Sequence, residues 1–282
     1  AEKVEWNADH TSLTITLKDA KWHDGKPVVA KDVVTTLKLN ALENGYCEEL
    51  IGFEAFVNGE TDVFEGIVEK DEKTVVLEFT SPNYMFDKGL ANNNWCILPD
   101  HVFGGKSHAD ALIDDYWAKP IGTGPYMIKD VNYPNYFTLT RFDDYHTGKA
   151  GIKDVVVNIY ADPEAEIAAM MAGKLHYLAN KNETDVKAVL DANSHTKMLT
   201  NESSLTKMLQ FNLSDAKGAR EDLKNVKIRQ ALSMIIDRQA VVDYVGAQAS
   251  VATTYHTFNH NPDIPEWKRN LEEGKKILQD EG

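Results

Sequence analysis

Gly122-Thr123-Gly124-Pro125 is a glycine-rich segment, and such loops can cradle a phosphate. A phosphate loop, however, joins a strand to a helix and carries Gly-Lys-Ser/Thr. Here Pro125 follows and then a strand pattern, so a structural turn is expected. His256 and His260 stand four apart, a spacing that aligns two metal ligands on a helix. Asn259, Asn261 and Pro262 place them in a loop instead. None of the nine histidines falls in an HExxH pattern, and no metal site is expected. His23-Asp24-Gly25 supplies two residue types of a hydrolytic triad. No GxSxG accompanies it, a triad cannot be recognised from residue order alone, and Asp-Gly reads as a turn. Acidic residues are plentiful, but a glycosidase needs two carboxylates at a defined separation across a cleft, which abundance does not supply. Asn92-Asn93-Asn94-Trp95 is different. Three successive amides and an indole between two apolar segments can hydrogen-bond to a small ligand and stack on it. The alternative is a loop whose amides cap the backbone and whose Trp95 packs in the core.

The elements that must position these residues alternate along the chain. Leu13, Ile15 and Leu17 alternate with threonines as in a half-buried strand. From Ala30 the period changes: Val33, Val34, Leu37 and Ala41 share one helical face, with Gly45 as the stop. Val75, Leu77 and Phe79 predict a second strand, ended by Ser81-Pro82. A short helix is expected at 109–117, and strands at 126–129, 137–142 and 155–160. Asp162-Pro163-Glu164 is a helix start that should run to Gly173: Asp162 caps, Pro163 suits the first helical position, and Glu164 favours the positive end of the dipole. A strand at 175–178, a helix at 183–192 and a strand at 208–213 are expected next. An amphipathic helix over 226–236 follows, with Ile228, Ala231, Leu232, Ile235 and Ile236 on one side. Asn270 with Glu273 resembles a capping box for the last helix.

Composition limits the classes of function. The 282 residues, 43% of them hydrophobic, suffice for one large domain or two. Acidic residues outnumber basic ones 44 to 30, a net charge of −14, which repels nucleic-acid phosphates. No run approaches the roughly 20 apolar residues of a membrane helix. No export signal is visible at Ala1; one is expected to have been removed or to lie outside this sequence. Cys47 and Cys96 would form a disulfide in an exported protein or stay as two buried thiols in a cytosolic one.

Several segments, in order, resemble the family 5 extracellular solute-binding proteins of ABC importers, which include dipeptide-, oligopeptide- and nickel-binding proteins. They are Leu13 to Leu17 with Ala20-Lys21-Trp22-His23-Asp24-Gly25-Lys26-Pro27, Ala30-Lys31-Asp32-Val33-Val34, Ile97-Leu98-Pro99-Asp100-His101-Val102, and Pro120-Ile121-Gly122-Thr123-Gly124-Pro125-Tyr126. Met170-Met171-Ala172-Gly173-Lys174-Leu175 and Val226 to Ser233 with Ile236-Asp237-Arg238 complete the set. The Gly122 block is the most specific. The resemblance implies an α/β (mixed α+β) fold of the periplasmic-binding-protein type II kind, two lobes around a cleft, with mostly lobe one and the start of lobe two present. Residues 1–115 would be the extra subdomain of lobe one, 116–207 its main subdomain, and 208–282 the start of lobe two. Relative to the family, the chain would begin late and end early. The acidic residue that holds a peptide's amino group would lie past Gly282.

The resemblance further implies a small solute, by default a peptide, captured outside the cytoplasm and delivered to ABC permease subunits in the membrane. The protein would be a periplasmic or extracellular monomer, with a lipid anchor as one arrangement, and it would need no cofactor and no catalytic residue. Closure of a hinge on the solute requires neither nucleophile nor acid–base pair. Motif position makes Asn92, Asn94, Trp95 and Asn180 the expected ligand-binding residues. A metal or metal-chelate receptor of the same fold and, less in keeping with the motifs, a hydrolase are the competing readings.

Overall fold

Two strands open the chain, β1 (Lys3–Trp6) and β2 (Ser12–Thr16). In β2 the alternation of Leu13 and Ile15 with hydroxyl residues sends the two apolar side chains to one buried face. The helix α1 (Ala30–Asn44) and the short α2 (Phe53–Val57) follow, then the hairpin of β3 (Ile67–Asp71) and β4 (Thr74–Glu78). The sheet is antiparallel in the order β1-β2-β4-β3, with Leu13 opposite Leu77 and Ile15 opposite Val75. Val33, Leu37 and Ala41 of α1 bury against these residues, as the helical spacing predicts. Both edge strands are mostly solvent-exposed and carry charged residues, which discourages pairing with other chains.

Three short helices come next: α3 (Phe86–Leu90), α4 (Asp100–Phe103) and α5 (His108–Leu112). The helix expected over 109–117 is thus two pieces, α5 and a 3-10 turn at Asp115–Ala118. Asp114 breaks it: its side chain caps the turn by accepting from the Tyr116 N–H at 2.8 Å, offering the backbone a local alternative to helix. Strands β5 (Tyr126–Asn132), β6 (Tyr136–Arg141) and β7 (Asp154–Asn158) form a separate three-stranded antiparallel sheet.

The described residues are 1–44, 47–91, 95–179, 183–199, 208–214, 220–245, 251 and 268–281 of this computed structural model. They fall in two units, Ala1–Tyr160, built as above, and Ala161–Gly282. The second unit is helical among its described residues: α6 (Pro163–Met171), α7 (Glu183–Ala192), α8 (Val226–Ile235), α9 (Arg238–Val245) and α10 (Leu271–Glu281). The start predicted for α6 is present, with the Asp162 carboxylate accepting from the Glu164 N–H at 3.0 Å and Pro163 in the first turn. The strands expected at 175–178 and 208–213 are not formed among the described residues: neither segment has a ladder partner there, and an apolar alternation without a neighbour makes no strand. The capping box at α10 is a variant. Asn270 Oδ1 accepts from the Glu273 N–H at 3.2 Å, but the Glu273 carboxylate accepts from the Asn270 side-chain amide at 2.7 Å, not from its backbone.

Helices α8 and α10 meet at two small residues, Ala231, fully buried, and Gly274. A Cβ on Gly274 would lie 2.8 Å from Ile235 Cγ1 and 3.0 Å from the Ala231 carbonyl oxygen. Alanine at this position gains about 0.5–1 kcal/mol of helix propensity but overpacks a seam at a cost of about 1–3 kcal/mol. Gly274→Ala is therefore expected to destabilise the second unit by about 1 kcal/mol, read as an earlier loss of far-UV helical signal in urea.

Candidate functional site

The segments singled out in the sequence meet around one buried carboxylate. Asp32, in the first turn of α1, is 1% exposed. Its Oδ2 accepts from Trp22 Nε1 at 3.0 Å and from the Val29 N–H at 2.9 Å, and its Oδ1 accepts from the Asp100 N–H at 2.7 Å. One turn later, the Thr36 hydroxyl donates to the Asp32 carbonyl at 2.7 Å and accepts from the Leu98 N–H at 2.8 Å. Thr35 donates to Asp100 Oδ1 at 2.6 Å. The blocks at 20–27, 30–34 and 97–102 are therefore one hydrogen-bonded assembly. It anchors the segment that follows Trp95, at Leu98 and Asp100.

The second node is His23. Its Nδ1 accepts from the Gly122 N–H at 3.0 Å, so the proton sits on Nε2, which donates to the Gly124 carbonyl at 3.0 Å. The backbone N–H of His23 also donates to the Gly122 carbonyl at 2.9 Å. Asp24 pairs with His101 at 2.8 Å. Every polar atom of the His23 ring is thus committed to the turn at 122–125, and the turn leads into β5 with no helix behind it. The residues that suggested a triad and a phosphate loop instead tie the four-stranded sheet to the three-stranded one.

Of the expected ligand-binding residues, Trp95 is half-buried, packed against Phe86 at a ring-centroid distance of 6.2 Å and against the core of the first sheet. Asn92, Asn94 and Asn180 lie outside the described residues, as do His256 and His260. Among the described residues no group of three or more His, Cys, Asp or Glu side chains is placed to hold a metal. Trp95 forms one wall of a groove of about 230 Å³ whose other lining residues include Cys47, Glu48, Glu49, Met85 and Phe86. None of these five is marked as a site residue by motif or spacing, and Cys47 stands out only as a thiol. The signal available was the run Cys47-Glu48-Glu49 just past α1, but its approach to Trp95, nearly fifty residues on, depends on the fold.

Cys47 and Cys96 are not joined: Cys47 is buried beneath this groove and Cys96 is exposed. Burial, and secondarily the charge of Glu49, pushes the Cys47 thiol from 9.0 up to about 12. The native state then keeps a proton that the unfolded chain releases first. Stability is expected to be unaffected by this group below pH 9 and to fall as pH rises from about 9 to about 12, a loss removed in Cys47→Ala. At pH 8 a thiol reagent should modify Cys96 in the folded protein and both cysteines in urea.

The family model for bacterial extracellular solute-binding proteins, family 5 Middle, matches residues 1–282. The chain belongs to this family. Oligopeptide-binding protein AppA of Bacillus subtilis, a family 5 relative, is 28% identical over 273 residues, which cover 94% of this chain and 47% of AppA. Nickel-binding protein NikA of Staphylococcus aureus is 26% identical over 277 residues, covering 96% of this chain and 50% of NikA. The solved structure of the ABC transporter substrate-binding protein CtaP of Listeria monocytogenes matches with a TM-score of 0.78 at 25% identity, over 100% of this chain and 56% of CtaP. The mixed helix-and-sheet fold expected of a family 5 protein, of the periplasmic-binding-protein type II kind, is the fold found. The chain spans about half the length of the curated relatives it matches. Family 5 proteins are extracellular solute-binding proteins by description, and among the described residues no helix is long and apolar enough to cross a membrane.

Proposed function

We propose that this chain is part of the substrate-binding component of an ABC importer, which captures peptides or similar small solutes outside the cytoplasm and hands them to permease subunits in the membrane. The observation that carries this is the family 5 match along all of residues 1–282. A relative named for oligopeptide binding, whose structure was solved with a nonapeptide, supports peptide as the solute. On this reading the protein is a monomer of the periplasm or cell exterior, with a lipid anchor as one arrangement, and it captures its solute without altering it. Residues 1–115 and 116–207 are two subdomains of one lobe, and 208–282 begin the other. Asn92, Asn94, Trp95 and Asn180 contact the solute. The half-burial of Trp95 beside an open groove supports its place in that set.

Similarity to a nickel-binding relative favours a second reading, a receptor for nickel or a nickel chelate. A thermal-shift screen of the full-length protein separates the two, because a ligand bound only by the folded state raises the melting temperature by mass action. Short peptides should raise it; a shift with nickel and histidine but with no peptide would replace the first reading by the second.

A further inference from the structure

The groove beside Trp95 has a character of its own. At about 230 Å³ it falls below the roughly 300–1,000 Å³ of sites that enclose a whole drug-sized ligand. It suits a single side chain. Its floor and walls are apolar: the Phe86 ring, nearly buried, the half-buried Trp95 indole, and Met85, exposed at the rim. Among the described residues its charged lining groups are Glu48 and Glu49, both exposed at the mouth, with no lysine or arginine beside them. The Asn83 side-chain oxygen is already engaged, accepting from the Met85 and Phe86 N–H groups at 2.9 Å each. The one other ionisable lining group is the Cys47 thiol. Burial and then the Glu49 charge keep it protonated to about pH 12, so at neutral pH it is uncharged.

An anion would meet two carboxylates here, with no basic lining residue among the described ones to offset them. A bare metal ion is disfavoured because Glu48, Glu49 and Cys47 are not placed to surround one. An organic cation on a short aliphatic stem satisfies both halves of the groove. The stem lies on Phe86 and Met85, while the charged end meets the indole face of Trp95 and the two glutamates. We propose that this groove is a subsite for a basic side chain, lysine or arginine, of a bound peptide. The ligand class rests on the peptide reading above; the preference for a cation rests on the groove alone.

The test compares Nα-acetyl-arginine amide with Nα-acetyl-citrulline amide, which has nearly the same shape without the charge, by calorimetric titration of the 282-residue chain. Saturable binding of the arginine compound is expected, at least tenfold tighter than that of the citrulline compound. The Glu48→Gln/Glu49→Gln double variant should reduce arginine binding to the citrulline level. Both glutamates are exposed, so the melting temperature of the variant checks that it still folds. Equal binding of the two compounds, no saturable binding of either, or an arginine preference that survives the double variant would each overturn the proposal. Trialanine with the full-length protein tests the peptide reading separately. If it fails to bind while the arginine compound binds this chain, the importer substrate is wrong and the cation subsite stands.

Discussion

Asp32→Ala is expected to lower the stability of the first unit by about 3–5 kcal/mol, the scale for removing one member of a buried charged network. The substitution takes away the acceptor of three N–H groups at once, on Trp22, Val29 and Asp100. Trp22 is itself 1% exposed, so its indole N–H has no water to turn to. The Val29 bond is also the backward half of a cap on α1, the acid in the third helical position returning to the N–H that precedes the helix. Asp32→Asn keeps the volume but presents its amide hydrogens to at least one of the same donors, and should recover only part of the loss. Urea unfolding followed by tryptophan fluorescence measures this, since four of the five tryptophans lie within Ala1–Tyr160. A midpoint unchanged from the wild type would mean that the three bonds contribute nothing net.

Gly66→Ala is expected to cost about 3 kcal/mol or more, at or above the upper end for overpacking, because the atoms in the way are backbone. An added Cβ would stand 2.7 Å from both the nitrogen and the carbonyl oxygen of Ile51 and 2.9 Å from the Glu78 carbonyl oxygen. Those atoms cannot swing aside as a side chain would. Gly66 donates to the Ile51 carbonyl at 2.7 Å and accepts from the Glu78 N–H at 2.9 Å, while the Ile51 N–H reaches the Glu78 carbonyl at 3.0 Å. Three segments therefore close on one another through a residue with no side chain. Making room separates β3 and β4 from the turn that carries Cys47, Glu48 and Glu49. The same variant should thus lose cation binding in the Trp95 groove together with stability. A variant as stable as the wild type in urea would show that the segments can part at little cost.

Much of the first unit was readable from residue pattern, and the reason is local. The alternation at Leu13 and Ile15 and at Val75 and Leu77, and the helical spacing from Val33 to Ala41, report the two faces of one core directly. Asp162-Pro163-Glu164 predicted its helix because a cap is satisfied within three residues. β1 and β3 escaped notice because edge strands are mostly exposed and carry few apolar signals. The segments at 175–178 and 208–213 erred the other way: their alternation was apolar, but a strand is a pairing and not a pattern. In the site, Trp95 was visible as a residue. Its neighbours Glu48 and Phe86 were not, because only the fold brings them alongside it. Asp32 and Asp100 were visible as parts of recurring blocks, while the reason for their identity, a shared set of N–H groups, appears only in three dimensions.

The clasp of His23 on Gly122 and Gly124 joins residues 99 and 101 positions apart. Closing a loop of that length costs about 4 kcal/mol of chain entropy before any of its bonds can form. The helix and strands within residues 1–78 close shorter loops among themselves. The pairing of β2 with β4 closes loops of 58 to 66 positions, so by the same scaling the clasp costs only about 0.4 kcal/mol more than the sheet itself. The imidazole works as a rivet: one side chain, bonded at both ring nitrogens, holds the turn before β5 to the loop after β2.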